Sequence, residues 1–327
     1  MSTQTPVFIV SAGRSGSTFL AKLINQHPDI VCMSDLFEPV APSPYIDRDA
    51  PYFDRSKKIA GEDFFAMLSA PSSKPRLRYW RERQTKERLF VPTDENMVSL
   101  LMSYTIPFID ADPLQCFNNC RSFFENRPEK AAADHLIDFF DWLRDRHSGK
   151  IWIERSGGAL GLTPRIIETW PQAKIIHNYR DGRESAISMQ RYPFFRMYLK
   201  MLNTPDMDEW DFDAMPPIED IGKMWSDWVL LAEDAIDAMP TEQTHRLPYE
   251  NLMGRTEQSL RALIEFVFDR TPNETDQTWI KKCAAQTEPS PLKFHDLPQT
   301  ERIALEKSCA PGLQRLGYSR EERRAHG

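Results

Sequence analysis

The sequence predicts an α/β fold: a P-loop-like central parallel sheet flanked by helices, with a largely helical insertion. Three observations carry this. In Val7–Leu20, VFIVSAGRSGSTFL, an apolar run gives way to small polar residues and then to an amphipathic pattern, the order strand, tight turn, helix. Further on, the strand-like stretches Lys150–Glu154 and Ala173–Tyr179 enclose a helical stretch, Pro164–Trp170. A strand–helix–strand unit of that kind makes its two strands parallel. Between them, from Glu62 to Leu143, the pattern is helical with polar breaks and shows no clear strand.

The chain has 327 residues, 41% hydrophobic and 27% charged, with a formal net charge of −7. Such a chain can bury a substantial core, and one domain over residues 1–327 is expected. The negative balance argues against nucleic acid as a partner. No apolar run reaches the length of a membrane span. The start, MSTQTP, has neither the basic region nor the apolar core of a signal segment, so a cytoplasmic protein is expected. The five cysteines, Cys32, Cys116, Cys120, Cys283 and Cys309, form no C-x-x-C pair and are expected as buried free thiols. No His, Cys or Asp spacing suggests a metal site.

The first strand is Val7–Val10. Gly13 and Gly16 after it let backbone N–H groups approach an anion with no Cβ in the way. The following helix, with Phe19, Leu20, Leu23 and Ile24 on one face, adds the donors of its N-terminus. Arg14, Ser15, Ser17 and Thr18 stand at the same point, which reads as a site for a phosphate or sulfate group. It is not the usual ATP-binding loop: counted from Gly16, the lysine position of that pattern holds Ser17, and the cation stands earlier, at Arg14. The helix runs to about Gln26 and stops at His27-Pro28, because a residue before proline avoids the helical region. His27 there is structural. Ile30–Met33 is a second buried strand, and Ser34–Pro39, SDLFEP, turns away from its end. Ligands of open α/β sheets sit beyond the carboxyl ends of strands, so Asp35 and Glu38 belong beside the loop.

Pro42–Pro51 reads as loop. Lys74–Arg88 holds seven cations against two acids, a solvated helix face or a basic lid over an anionic substrate. Ala131–Arg146 is an amphipathic helix. After the strand Lys150–Glu154 comes a glycine-bearing loop starting at Arg155. After Ala173–Tyr179 comes Arg180-Asp-Gly-Arg-Glu-Ser-Ala-Ile-Ser188, with Arg180 at the strand end and Ser188 on the next helix. An arginine there offers a planar fork of donors to a dianionic phosphate. Asn203–Pro217 is an acidic excursion. Ile221–Met239 is a helix with Trp225, Trp228, Leu231 and Ile236 inward, and Ser259–Phe268 is another. Arg246–Leu252 reads as a late strand and turn, with Glu250 structural. Pro289–Pro298 is a loop carrying Lys293.

RSGSTFL matches, at every position, the first motif of the sulfotransferases that use 3′-phosphoadenosine-5′-phosphosulfate (PAPS), [KR]-S-G-[ST]-[ST]-[FWL]-L. Arg180 and Ser188 match the R-D-x-R-x-x-x-x-S of the same family, and Y-E-x-L and CAPGLQRLGY resemble later segments of it. With HPD and FEP, the chain looks most like the carbohydrate and tyrosylprotein branches and their bacterial relatives. The resemblance covers about half the chain in correctly ordered segments; the helical middle matches nothing in it.

The resemblance implies transfer of a sulfuryl group from PAPS to an acceptor hydroxyl, without a metal. Arg14, the loop amides and Ser17 or Thr18 would stabilise charge on the leaving nucleotide, with Ser15 and Gly16 in the same cradle. Arg180 and Ser188 would hold the 3′-phosphate, and Lys293 would approach it from the late loop. A carboxylate would take the acceptor proton: Glu38 by its place in FEP, or Asp35 by its count from Arg14. The acceptor would be a carbohydrate, a lipid or a small metabolite, bound by residues 62–143. Two other readings stay open at this point: a kinase-like phosphoryl transferase and a nucleotide-binding module without catalysis.

Overall fold

The computed structural model describes residues 4–37, 51–53, 55–70, 101–192, 195 and 215–318. Its strands are β1 (Val7–Val10), β2 (Ile30–Ser34), β3 (Lys58–Ile59), β4 (Lys130–Ala131), β5 (Ile151–Ser156), β6 (Lys174–Tyr179) and β7 (Thr244–Pro248). Five of them form a sheet in the order β2–β5–β1–β6–β7, and every neighbouring pair in it is parallel. The central strand β1 is apolar throughout because it is buried on both faces. Phe8 and Val10 point to one face, where Phe8 meets Trp170 with ring centroids 5.1 Å apart. Val7 and Ile9 point to the other, onto Leu20, Ile24 and Ile264. Helices Ala132–Arg146, Thr163–Thr169, Ile218–Asp237 and Gln299–Arg315 cover the first face. Helices Ser17–Ile24, Thr256–Phe268 and Glu274–Ala284 cover the second. The expected α/β architecture with a parallel sheet is the observed one.

Three local features differ from the expectation. β5 continues through Arg155 and Ser156, which pair in register with Ile9 and Val10 of β1, where a loop was expected from Arg155. Lys130–Ala131 forms a short antiparallel pair with Lys58–Ile59 inside the helical region. Leu231, expected inward, is 48% exposed. The buried stripe of its helix runs through Trp225, Val229, Ala232 and Ile236, and Leu231 falls off it at helical spacing.

His27 is structural, as read. Its Nδ1 accepts the Asp29 amide, so its Nε2–H donates to Asp276 Oδ1 at 2.9 Å, tying the end of the first helix to Glu274–Ala284. The five cysteines are free and buried. Among the described residues no helix is long and apolar enough to cross a membrane. Glu38, the basic run 74–88 and most of the acidic excursion (203–214) lie outside the described residues.

Candidate active site

The turn after β1 is held by backbone conformation. Gly13 (φ 85°), Arg14 (φ 54°) and Gly16 (φ 80°) are all left-handed. A Cβ at Gly13 would lie 2.5 Å from the Gly157 carbonyl oxygen, and one at Gly16 would lie 2.5 Å from the Tyr249 ring. Both positions therefore require glycine on two counts. Arg14 adopts the same region at a cost of roughly 1–2 kcal/mol. Turns of this kind present successive N–H groups to one concave side, a geometry suited to anions. Helix Ser17–Ile24 starts at once, and no side chain caps it. Its first N–H groups are left for a ligand.

The predicted donor-side residues come together around this turn. Arg14 is exposed, and its Nε–H donates to Ser188 Oγ at 3.0 Å. Its guanidinium lies 4.7 Å over the Tyr192 ring. Two motifs 174 residues apart thus meet in one hydrogen bond. Ser15 is buried and donates to Asn178 Oδ1 on β6, so its hydroxyl faces the sheet and fixes the turn. Ser17 is buried and Thr18 exposed.

Arg180 follows β6 with its side chain 13% exposed, and its guanidinium lies 4.6 Å over Tyr249. The nearest carboxylate, Glu184, stands 3.7 Å away, beyond hydrogen-bond range. The Arg180 side chain thus donates no hydrogen bond to a described residue. Tyr249 also covers Gly16, so one ring lies between the turn and Arg180, and its hydroxyl meets Ser290 Oγ at 3.0 Å. The Lys293 amide donates to Glu184 Oε1 at 2.8 Å, while its side chain is exposed. Glu250 is structural, as read: it accepts from the Asp181 amide and the Tyr318 hydroxyl.

The β2–β5 side of the turn carries the other predicted residue. Asp35 is buried in a left-handed conformation (φ 63°). Its carboxylate accepts from both terminal nitrogens of Arg155, at 2.8 and 3.3 Å, and from the Gly157 amide at 3.1 Å. Arg155 is 3% exposed and its Nε meets no partner among the described residues. From the sequence, Arg155 stood only as the start of a glycine-bearing loop. The signal available was a cation at the end of an apolar run, the same signal that marked Arg180. A cavity of about 180 Å³ opens here, lined by Thr18, Lys22, Ser34, Asp35, Phe108 and Arg155 among others. Among the described residues no group of His, Cys, Asp and Glu side chains is arranged to hold a metal ion.

Beneath this side lies Glu154, fully buried, whose carboxyl is pushed up to about 8 by burial. Its Oε1 accepts the Leu36 amide at 3.3 Å and the Ser156 hydroxyl at 2.5 Å, and Ser156 Oγ accepts the Phe37 amide at 2.7 Å. Glu154 therefore anchors the chain that leads into Glu38. The folded-state value lies above the unfolded value of about 4.3, so the neutral form stabilises the fold. That contribution is complete below about 4.3 and is lost as pH rises through about 8. Glu154→Gln is expected to flatten the fall of unfolding free energy across this window, as read by denaturant titration. An unaltered slope would place the titration elsewhere.

Comparison with known proteins agrees with this geometry. No curated protein sequence matches the chain significantly. Among solved structures, the sulfotransferase domain from the curacin biosynthetic pathway aligns with a TM-score of 0.52 at 14% identity, over 98% of this chain and 99% of that one, and shows a shared fold. Sulfotransferase STF9 from Mycobacterium avium aligns with a TM-score of 0.47 at 15% identity, over 96% of this chain and 77% of that one. The sequence model described as "Sulfotransferase family" matches residues 6–268, from the residue before β1 to the end of helix Thr256–Phe268, and the chain belongs to that family.

Proposed function

We propose that this sulfotransferase takes its sulfuryl group from PAPS and passes it to the hydroxyl of a carbohydrate, lipid or small-metabolite acceptor. The observation that carries the donor assignment is Arg180. A largely buried guanidinium that stacks on Tyr249 and donates no hydrogen bond to a described residue is suited to an outside anion. Ser188 lies on the next helix and contacts Arg14 of the turn. The residues present fit a nucleotide with an anion at each end: Arg180, Ser188 and Lys293 at the 3′-phosphate, and Arg14, Gly16, Ser17, Thr18 and the turn amides at the 5′-phosphosulfate. Ser15 supports the turn from below.

When bound, PAPS supplies an activated sulfuryl group. The chain's own part is to hold the donor in one orientation and to meet developing negative charge with preorganised donors. In-line transfer puts the acceptor across from the nucleotide, on the β2–β5 side, where the cavity beside Thr18 and Arg155 opens. A part for the segment 62–143 in acceptor binding is supported by Phe108, its one described residue lining the cavity, and by the Thr105 hydroxyl, which donates to the Ser34 carbonyl at 2.8 Å. We assign the acceptor proton to Glu38. Asp35, the other candidate, is already engaged by the Arg155 guanidinium and the Gly157 amide.

Calorimetry without added metal tests the donor. 3′-Phosphoadenosine-5′-phosphate is expected to bind well ahead of ADP and ATP. Equal affinity for ADP would remove the role given to Arg180 and Ser188. Incubation with sulfur-labelled PAPS and a cell extract fractionated by polarity then tests turnover and identifies the acceptor class; label that never leaves the nucleotide would leave a binding module.

A further inference from the structure

We propose that Glu184 is a positioning residue that sets the preference for a 3′-phosphorylated nucleotide, by fixing the chain at Lys293 beside Arg180. The proposal rests on the donor reading above.

Glu184 is 4% exposed, in the first turn of helix Gly182–Gln190 and four residues after Arg180. A carboxylate so buried must be paired. Its partners are two backbone amides from a distant loop. Lys293 N donates to Oε1 at 2.8 Å and to Oε2 at 3.1 Å, and Phe294 N donates to Oε1 at 2.8 Å. The helix N-terminus adds favourable potential for the carboxylate. Glu184 is therefore satisfied by the loop amides without drawing a hydrogen bond from Arg180, whose donors stay available.

The loop depends on this neighbourhood. Residues 288–293 are all exposed. Ser290 is tied to Tyr249, the ring under Arg180. Phe294 is buried 4.9 Å beneath the guanidinium of Arg183, which is itself held by Asp181. Three anchors, at Tyr249, Arg183 and Glu184, thus set the loop against the segment that carries Arg180. Glu184 is the anchor that fixes the backbone at Lys293. A 3′-phosphate is a dianion, and a single guanidinium leaves part of its charge unmatched. Lys293, set one carboxylate away from Arg180, is the second cation. The turn that would hold the 5′ end shares the Tyr249 anchor through Gly16 but has no hydrogen bond to Glu184 or Lys293, so loss of Glu184 is expected to weaken the hold on the 3′-phosphate first.

The test compares 3′-phosphoadenosine-5′-phosphate with ADP by calorimetry on the full chain, with thermal midpoints recorded for each variant. Glu184→Ala and Lys293→Ala are each expected to lower the affinity ratio of the two nucleotides by roughly ten- to a hundredfold through the bisphosphate alone. Glu184→Gln keeps an acceptor oxygen for the loop amides and is expected to restore most of the ratio. The double variant is expected to lose no more than Lys293→Ala does. If Glu184→Ala fails to fold, Lys293→Ala and Glu184→Gln still decide. Equal weakening of both nucleotides, or an unchanged ratio in Lys293→Ala, overturns the proposal. A wild-type chain that does not distinguish the nucleotides overturns the donor reading itself.

Discussion

Arg180→Ala is expected to weaken binding of 3′-phosphoadenosine-5′-phosphate by about 2 to 5 kcal/mol, the scale for truncating a buried charge partner. The size follows from the surroundings of the side chain. Its guanidinium is largely removed from water, and Tyr249 backs one face of it. A contact made there is screened far less than one at the surface. The effect on stability is expected to be small, because Arg180 donates no side-chain hydrogen bond to a described residue and Glu184 keeps its amide donors. Calorimetry and a thermal midpoint separate the two effects. Arg180→Lys keeps the charge but loses the planar fork and the stacking, and should fall between wild type and alanine. Unchanged bisphosphate affinity in Arg180→Ala would move the 3′-phosphate site elsewhere.

The second large effect is expected at the proposed base. Glu38→Gln keeps shape and removes basicity, and should lower kcat by about two to four orders of magnitude with donor affinity retained. Asp35→Asn should behave differently. It removes the counter-charge of a buried arginine, a change that typically destabilises by about 3–5 kcal/mol. Its first readout is therefore the unfolding midpoint. A Glu38→Gln enzyme that turns over normally, beside a folded and inactive Asp35→Asn, would transfer the role to Asp35. Full activity in both would send the search to a histidine.

The parts of the fold legible in the sequence are those set by local pattern. β1 and β2 are buried on both faces, so they read as nearly continuous apolar runs, and β6 is legible from Ile175 and Ile176 although Lys174, His177 and Asn178 interrupt it. The turn after β1 was legible because left-handed backbone selects glycine at Gly13 and Gly16. Arg155 was not legible as part of a strand. A cation continues a buried strand only when a partner receives it, and that partner, Asp35, stands 120 residues earlier. Tyr249 was visible inside Y-E-x-L, yet nothing local tells that its ring spans the space from Gly16 to Arg180. The bond between Arg14 and Ser188 likewise arises from where β1 and β6 place their ends.

The strand order has a practical consequence for redesign. β1 lies between β5 and β6, so its turn has a different neighbour on each side. In the proposed arrangement the nucleotide leans on the β6 side and the incoming alcohol on the β5 side. A mutant library at Lys22, Ser34 and Phe108, which line the cavity on that side, would leave the residues around Arg180 untouched. Retention on an immobilised bisphosphate column would then serve as a fixed quality filter. Every clone that passes it has kept its hold on the nucleotide, so new alcohols can be screened without re-optimising the donor half of the enzyme.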